Sequence, residues 1–445
     1  MFFALAASSL LFSACSSDDA VVSTEGQNEA VQQIVLQVAS SGDGLSTRAG
    51  RPLYSSQALQ TIQHVRVIIY KDDATKTIVK DEQLDWTKSD KYDNHGRQHT
   101  LTYKGTKRLD EGSYKVMAVG YSDNSDYTYA LDVTSTAALS GKYSDITATL
   151  KEGKKDAEEV FAGDADLKIG VGKNITNFTS GEKNGVAVTL HRQVAGSFGY
   201  FSNIPAKVGE KTAATLRLVV RGKNDKLTFN NFNSLFTANG APGSTIQYYV
   251  NGSTSTGAAL ATTDKFSNGD NGYVLYSIDL KTWFPQLDEN GDGVLNAQDA
   301  SWKRPDDVKT QVVKGSVFGS NFVIPFNLTS GKNTMELQLL DGAGDIIKKW
   351  TVSIPEADVN KDDTKGATDE SAYIFNVVRN HMYNLGMKIS NGTTDPDPSN
   401  PTPDPDPKPN PDPGKDEPED LTKSQNLILK VNDNWEVIHK MELGD

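Results

Sequence analysis

The sequence has a single cysteine among its 445 residues, six histidines and, beyond its first fifteen positions, no run of about 18 apolar residues. One cysteine excludes an intramolecular disulfide and a cysteine zinc site. The histidines lack ligand spacing, and no G-x-S-x-G or P-loop motif occurs, so we expect no enzyme activity. The formal net charge of −13 argues against a nucleic-acid partner and against a polybasic membrane patch.

The first fifteen residues indicate export. Residues 1–14 are apolar and rich in small side chains, too short to span a bilayer and typical of a signal peptide. The run L-L-F-S-A-C at residues 10–15 resembles a bacterial lipobox, which makes Cys15 the expected site of lipidation, for instance by palmitate. The S-S-D-D run at 16–19 resembles the surface-export signal of Bacteroidetes lipoproteins. We therefore expect a surface-exposed lipoprotein precursor in the outer membrane.

A short strand pattern lies between Cys15 and a candidate cleavage site. Residues 34–38, I-V-L-Q-V, have the composition of a strand, and Arg48 follows in a segment rich in Gly, Ser and Thr. Cleavage after Arg48 would remove a lipidated propeptide, residues 15–48, together with this strand. Two alternatives stay open: the strand never leaves, or Arg48 is an ordinary loop arginine.

The body of the chain predicts an all-β fold. Short alternating runs, clearest at 64–70, 113–121 and 215–220, are bounded by Gly, Asn, Asp or Ser. Helical signal is sparse. A polar, turn-rich stretch at 176–184 predicts a boundary, so we expect two tandem β-sandwiches of transthyretin-like or Greek-key type at 31–180 and 185–390, with few short helices.

The end of the chain changes in character. Ten of the 17 prolines lie within residues 393–420, interleaved with acids, which predicts an extended linker over 391–420. Strand-like sequence resumes in the C-terminal segment 421–445, and an apolar strand beyond a linker needs a groove to fill. The side chains expected to enter that groove are Leu427, Leu429, Val431, Trp435, Val437 and Ile438. The groove belongs either to another molecule or to the chain's own second sandwich.

Several runs together resemble one known family. They are R-L-D-E-G-S-Y-K-V-M-A-V-G-Y at 108–121, L-H-R-Q-V-A-G at 190–196, V-V-R-N-H-M-Y-N-L at 377–385, V-N-D-N-W-E-V at 431–437 and S-T-R-A at 46–49. In their order along the chain, and with the lipobox, they resemble the FimA-type fimbrillins, the type V pilins of Bacteroidetes.

The resemblance implies a mechanism of assembly. An arginine-specific protease would cut after Arg48 and release the lipid and the first strand, and a strand from a neighbouring fimbrial subunit would fill the vacated groove. The expected function is therefore a structural subunit of a surface fimbria that supports adhesion, with residues 421–445 as the donor strand. The alternatives are a tip, accessory or anchor lipoprotein and a surface glycan-binding lipoprotein with Tyr248, Tyr249, Tyr273 and Trp283 as an exposed platform.

Residues 288–299, D-E-N-G-D-G-V-L-N-A-Q-D, match a twelve-residue calcium loop. Ca²⁺ takes six to eight oxygen ligands, and such a loop offers them at alternate positions. The expected ligands are Asp288, Asn290, Asp292, the carbonyl of Val294, Asn296 (directly or through water) and Asp299. A helix is expected after the loop, at 297–302, rather than before it, where Phe284 and Pro285 disfavour one. The alternative is an acidic surface turn without metal.

Overall fold

A computed structural model describes residues 31–38, 62–88, 90–91, 97–122, 125–130, 146–152, 157–179, 185–229, 252–253, 264–306, 308, 312–326, 335–353, 377, 379, 382–387, 416–423 and 426–432. Most of these residues are in strands and few are in helices, which confirms the predicted all-β sandwich fold. Within these ranges no helix has the length and apolar character needed to cross a membrane.

Eleven strands make up the first half of the fold. They are β1 (Gln32–Val38), β2 (His64–Lys71), β3 (Ile78–Asp85), β4 (Asp90–Lys91), β5 (Arg97–Tyr103), β6 (Gly112–Tyr121), β7 (Tyr127–Ala130), β8 (Thr147–Leu150), β9 (Phe161–Gly170), β10 (Asn174–Ile175) and β11 (Gly185–Arg192). Nine of them belong to one hydrogen-bonded sheet, in which eight follow the path β3-β2-β6-β9-β11-β1-β5-β4 and β10 lies beside β9.

This path folds over at β11. The strand pairs with β1 along Gly185–Leu190 and with β9 only at His191 and Arg192. The result is two layers, β11-β1-β5-β4 and β3-β2-β6-β9, whose inward apolar side chains form one buried cluster. At the crossing, Gly163 of β9 lies so close to the backbone of Thr189 that a Cβ there would be 1.9 Å from the Thr189 carbonyl oxygen.

The second half adds fifteen strands and one helical turn. The strands are β12 (Ala195–Ser202), β13 (Ile204–Pro205), β14 (Lys207–Val208), β15 (Lys211–Val220), β16 (Lys226–Thr228), β17 (Gly252–Ser253), β18 (Tyr273–Asp279), β19 (Val294–Leu295), β20 (Ser316–Val323), β21 (Met335–Asp341), β22 (Ile346–Ser353), β23 (Met382–Leu385), β24 (Glu419–Asp420), β25 (Asn426–Ile428) and β26 (Lys430–Asn432). The helix α1 is Leu280–Trp283.

Two of the resulting sheets form the second sandwich. One has the order β20-β12-β23-β26 with β24 beside β12, and the other β14-β15-β21-β22-β25 with β18 beside β15. Aromatic side chains of β12, including Phe198 and Tyr200, pack in one core with Leu216 of β15 and Leu337 of β21. Every residue of β12 from Ala195 to Phe201 is buried, so this strand is covered on both of its faces.

The two sandwiches are joined by a small shared sheet. Its order, β17-β16-β8-β7, combines strands from both halves of the sequence. A third buried cluster lies against it and includes Met117 and Val119 of β6 together with Val194, Leu227 and Ile324. The sandwiches are therefore tandem in sequence but share hydrophobic packing.

Two predicted boundaries need correction. The second sandwich was expected from residue 185, but β11 belongs to the first, so the boundary falls between Arg192 and Ala195. This boundary was misplaced because an apolar strand pattern predicts a strand but not the sheet to which the strand belongs. The predicted linker ends too late, because Glu419 and Asp420 already pair with β12 and Glu417 bridges Met387.

We expect Gly163→Ala to destabilise the first sandwich by about 1–3 kcal/mol, because the added methyl group meets backbone that cannot move aside. Gly222→Ala is the matched control, since nothing lies within 4 Å of a Cβ at that position, and its effect should stay within about 0.5 kcal/mol. Urea unfolding of both variants measures the difference. Equal stabilities would contradict the close crossing of β9 and β11.

Candidate functional site

The first strand occupies the middle of its layer. β1 pairs in parallel with β11 on one edge and antiparallel with β5 on the other, over nearly its whole length. We call the space that β1 fills between these two strands the β1 slot. A strand in this position satisfies backbone donors and acceptors on both of its neighbours, so its removal would leave two unpaired edges.

The floor of the β1 slot is apolar. Ile34 and Leu36 are fully buried and share a cluster with Val67 of β2 and Val116 of β6 from the opposite layer. Burial of side chains of this size stabilises a fold by about 1.5–3 kcal/mol each. The slot therefore combines hydrogen-bonding edges with a hydrophobic floor, which is what an incoming strand requires.

One polar side chain also points into the interior from β1. Gln32 is only 1% exposed, and its Oε1 accepts a hydrogen bond from the Leu109 amide at 2.7 Å. Its Nε2 donates to the carbonyl oxygens of Leu109 at 3.0 Å and Lys173 at 2.9 Å. Sequence reasoning missed all three residues. The available signal was a glutamine in phase with the apolar residues of the first strand.

The predicted processing residues Cys15 and Arg48 lie outside the described residues. Lipidation at Cys15 and cleavage after Arg48 therefore stay predictions. The same holds for Trp435, Val437 and Ile438 of the predicted donor strand.

The described part of the C-terminal segment lies in the chain's own second sandwich. β25 runs parallel to β22, and β26 runs antiparallel to β23, so Leu429 lies where the chain passes from one sheet to the other. Leu427 and Leu429 are fully buried in the core, and Val431 lies on β26. The sequence allowed two grooves for this segment, one in another molecule and one in its own second sandwich. In the single chain the segment occupies the groove of its own second sandwich. Insertion into a second molecule stays a prediction.

Polar contacts hold the residues that precede this tail. Met387 and Glu417 exchange two backbone hydrogen bonds, at 2.7 and 2.9 Å, and the Tyr200 hydroxyl donates to Asp416 Oδ2 at 3.2 Å. Burial opposes ionisation of Asp420, but hydrogen bonds from Thr422, Lys423 and Asn203 outweigh it and lower the pKa of Asp420 to about 2. The tail therefore enters the second sandwich beside the point at which residue 387 leaves it.

The predicted calcium loop has a regular pattern of internal hydrogen bonds. Asp288 Oδ1 accepts from the Gly293 amide at 2.9 Å, Asn290 Oδ1 from the Asp292 amide at 3.0 Å, and Asp292 Oδ1 from the Val294 amide at 2.8 Å. Gly293 adopts φ +84°, a left-handed conformation that suits glycine. These contacts orient the side chains at loop positions 1, 3 and 5.

The second half of the loop places further oxygens nearby. Asp299 is fully buried, its Oδ2 accepts from the Asn296 amide at 2.8 Å, and its Oδ1 has no hydrogen-bond partner within the described residues. The Asn296 Nδ2 donates to Asp292 Oδ2 at 2.9 Å and to the Val294 carbonyl at 3.1 Å. The hydrogen bonds that Asp292 accepts from the Asn296 side chain and from the Val294 amide lower the pKa of Asp292. Nevertheless, nowhere in the described ranges do three His, Cys, Asp or Glu side chains form a metal-binding group, so the calcium site stays a prediction.

The surroundings of the loop differ from the predicted ones. The helical turn α1 precedes the loop and ends at Trp283, whereas residues 297–302 form turns. Pro285 disfavours a helix only beyond this turn. Within the loop, β19 pairs with β13, and Leu295 is buried. Packing of Leu295 therefore fixes the loop to the second sandwich, with or without a metal ion.

The predicted aromatic platform for a glycan is not formed as expected. Trp283 is 2% exposed and packs near Trp302, with 6.5 Å between the ring centroids. Tyr273 is half-buried, and Tyr248 and Tyr249 lie outside the described residues. An exposed platform that includes Trp283 is therefore wrong.

Searches of protein-family models and of curated proteins gave no match. Solved structures similar to this chain include the fimbrial anchor protein Mfa2 from Porphyromonas gingivalis, with 10% identity, a TM-score of 0.36 and coverage of 82% of this chain and 94% of that one. A fimbrial assembly protein from Parabacteroides distasonis has 11% identity, a TM-score of 0.32 and coverage of 81% and 92%.

A candidate adhesin from Bacteroides thetaiotaomicron is similar over 80% of this chain and 90% of that one, at 10% identity and a TM-score of 0.37. The similar structures thus include candidate adhesins and fimbrial anchor and assembly proteins of Bacteroidetes.

We expect Leu427→Ala or Leu429→Ala to lower the free energy of unfolding of the uncut chain by about 2–5 kcal/mol, because each removes a fully buried side chain. Val171→Ala, at a side chain that is 83% exposed, is the control and should change stability by less than about 0.5 kcal/mol. Denaturant unfolding of a Cys15→Ala background provides the measurement. Unchanged stability in the leucine variants would contradict docking of the tail in its own chain.

We expect Ca²⁺ to raise the melting temperature of the wild-type chain, because an ion that binds only the folded loop stabilises it. The pair Asp288→Ala and Asp292→Ala should abolish this rise. Asp341→Ala with Asp345→Ala is the matched control, because it removes the same charge from another glycine-containing turn of the second sandwich. Calorimetric scans with Ca²⁺ and with a chelator decide the matter, and a wild type indifferent to Ca²⁺ would exclude the site.

Proposed function

We propose that this protein is a structural subunit of a cell-surface fimbria that supports adhesion and is assembled by β-strand exchange. The position of β1 between β5 and β11, in the middle of a layer, is the observation that carries the proposal. A strand at the edge of a sheet could leave without opening the core. This strand cannot, because its loss uncovers the apolar floor and two rows of backbone groups.

The position of the candidate cleavage site makes such a loss feasible. Arg48 follows β1 in the sequence, so one cut after it disconnects the strand and the lipidated Cys15 from the rest of the chain. The proposed precursor is a surface-exposed lipoprotein of the outer membrane, processed by an arginine-specific protease. The processed body would then bind a strand from a neighbouring subunit through main-chain pairing and buried apolar side chains.

The C-terminal segment is the proposed donor, but it can act as a donor only after it leaves its own second sandwich. Leu427 and Leu429 must leave their own core before they can enter another subunit. If they remain there, the chain accepts a strand and donates none, so it would end a polymer rather than extend it. This docking favours a second candidate function, that of a tip or accessory subunit.

A disulfide that fastens β1 to β5 tests the proposed exchange. Gln33 and Thr102 are paired across the two strands, and cysteines at directly opposed positions can form a disulfide. In a Cys15→Ala background with Gln33→Cys and Thr102→Cys, we expect cleavage after Arg48 to yield monomers until a reductant is added. SDS-gel ladders then measure assembly before and after reduction.

The single variant Gln33→Cys is the matched control and should form ladders without reduction. Ladders from the oxidised double variant would contradict exchange at the β1 slot. Monomers from every processed chain, reduced or not, would instead favour the tip or accessory function.

A further inference from the structure

The buried contacts of Gln32 form a small binding site made only of backbone groups. We call the Leu109 amide, the Leu109 carbonyl and the Lys173 carbonyl the amide pocket. Two turns hold them in place: Arg108 Nη1 donates to the Gly172 carbonyl at 3.3 Å, and Lys173 Nζ lies 2.5 Å from Asp110 Oδ1. Lys173 has φ +61°, which few non-glycine residues adopt. None of these contacts between the two turns involves a residue of β1.

The chemistry of the amide pocket selects one kind of side chain. It offers one donor and two acceptors, so its ligand must accept and donate at the same end. A carboxamide does both, whereas a carboxylate only accepts, an ammonium only donates and an apolar group does neither. Any strand without an amide at this position would leave buried backbone groups unpaired, which is unfavourable. Glutamine at the position of Gln32 matches this requirement.

The same pattern occurs once more near the end of the chain. Residues 32–38 read Q-Q-I-V-L-Q-V, and residues 425–431 read Q-N-L-I-L-K-V. Gln32, Leu36 and Val38 correspond to identical residues, and each remaining position is occupied by a similar one. Aligned in this register, Gln425 falls at the amide pocket, and Leu427 and Leu429 fall at the positions of Ile34 and Leu36.

We propose that the amide pocket is a register key that recognises Gln425 of a second copy of this chain. This inference rests on the proposed strand exchange and adds the residue that fixes the position of the incoming strand. A shift by one residue would place Leu427 and Leu429 on the outer face and would leave the pocket without its amide. The key thus couples one polar contact to the correct placement of two apolar ones.

The β1 slot offers a strand more complete pairing than the tail has in its own chain. In its own sandwich, β25 pairs with β22 and β26 pairs with β23, each over three residues. In the slot, β1 is one continuous strand with neighbours on both edges over six residues each. A tail that takes the place of β1 gains this two-sided ladder.

Peptide binding to the processed body tests the register key. The body is the full Cys15→Ala chain cut after Arg48, and the probes are fluorescent peptides of residues 421–438 and 31–40. We expect both to enter the body in competition with each other. Gln425→Leu should weaken binding of the tail peptide by at least about tenfold, because it leaves the buried pocket unpaired. Fluorescence anisotropy provides the affinities.

Asn426→Leu is the matched control, since this residue corresponds to Gln33 on the opposite face of β1, and its affinity should stay within about threefold of the wild type. If the 31–40 peptide binds and Gln425→Leu binds as well as the wild type, the register key is wrong while the slot remains. If neither peptide enters the body, the strand exchange itself is wrong. The substitutions lie in the peptides, so folding of the body is the same in every measurement.

Discussion

A strand in the middle of a β-layer must satisfy backbone groups on both sides and fill the core beneath, and β1 meets all three demands. The first sandwich depends on this one segment, which is joined to the rest by the region that contains Arg48. Because unpaired buried backbone groups are unfavourable, the body is incomplete without a strand at this place. The stability of the first sandwich and its capacity to bind a partner thus have the same physical origin.

The sequence predicts those features that depend on nearby residues. Alternation predicted β2, β6 and β15, and the spacing of Asp288, Asn290 and Asp292 predicted a tight loop, because such turns form between close neighbours. The apolar tail predicted a buried Leu427 and Leu429, and the structure buries both. Alternation did not predict the partner of each strand, because strands far apart in the sequence pair with each other.

The misplaced boundary and the missed amide pocket have this common cause. β11 has the pattern of any buried strand, and only its pairing with β1 assigns it to the first sandwich. Gln32 contacts Leu109 and Lys173, which are far from it in sequence. Two of the runs that carry the family resemblance now have physical roles as well. Leu109 completes the amide pocket, and Arg192, in an ion pair with the buried Glu159 at 2.6 Å, lies where the chain passes between the sandwiches.

The paired backbone of Met387 and Glu417 brings together the two ends of the proline-rich stretch at residues 388–415. The tail consequently begins its path at a fixed point on its own body, whatever the length of the stretch between. If the pairing of Met387 with Glu417 opens together with the tail, the tail could reach about 85 Å on this stretch, extended at ~3.1 Å per residue. The tail would then be divided between the groove of its own chain and that of a neighbouring subunit according to its effective concentration at each. That concentration falls as a flexible tether lengthens beyond the span that it must bridge.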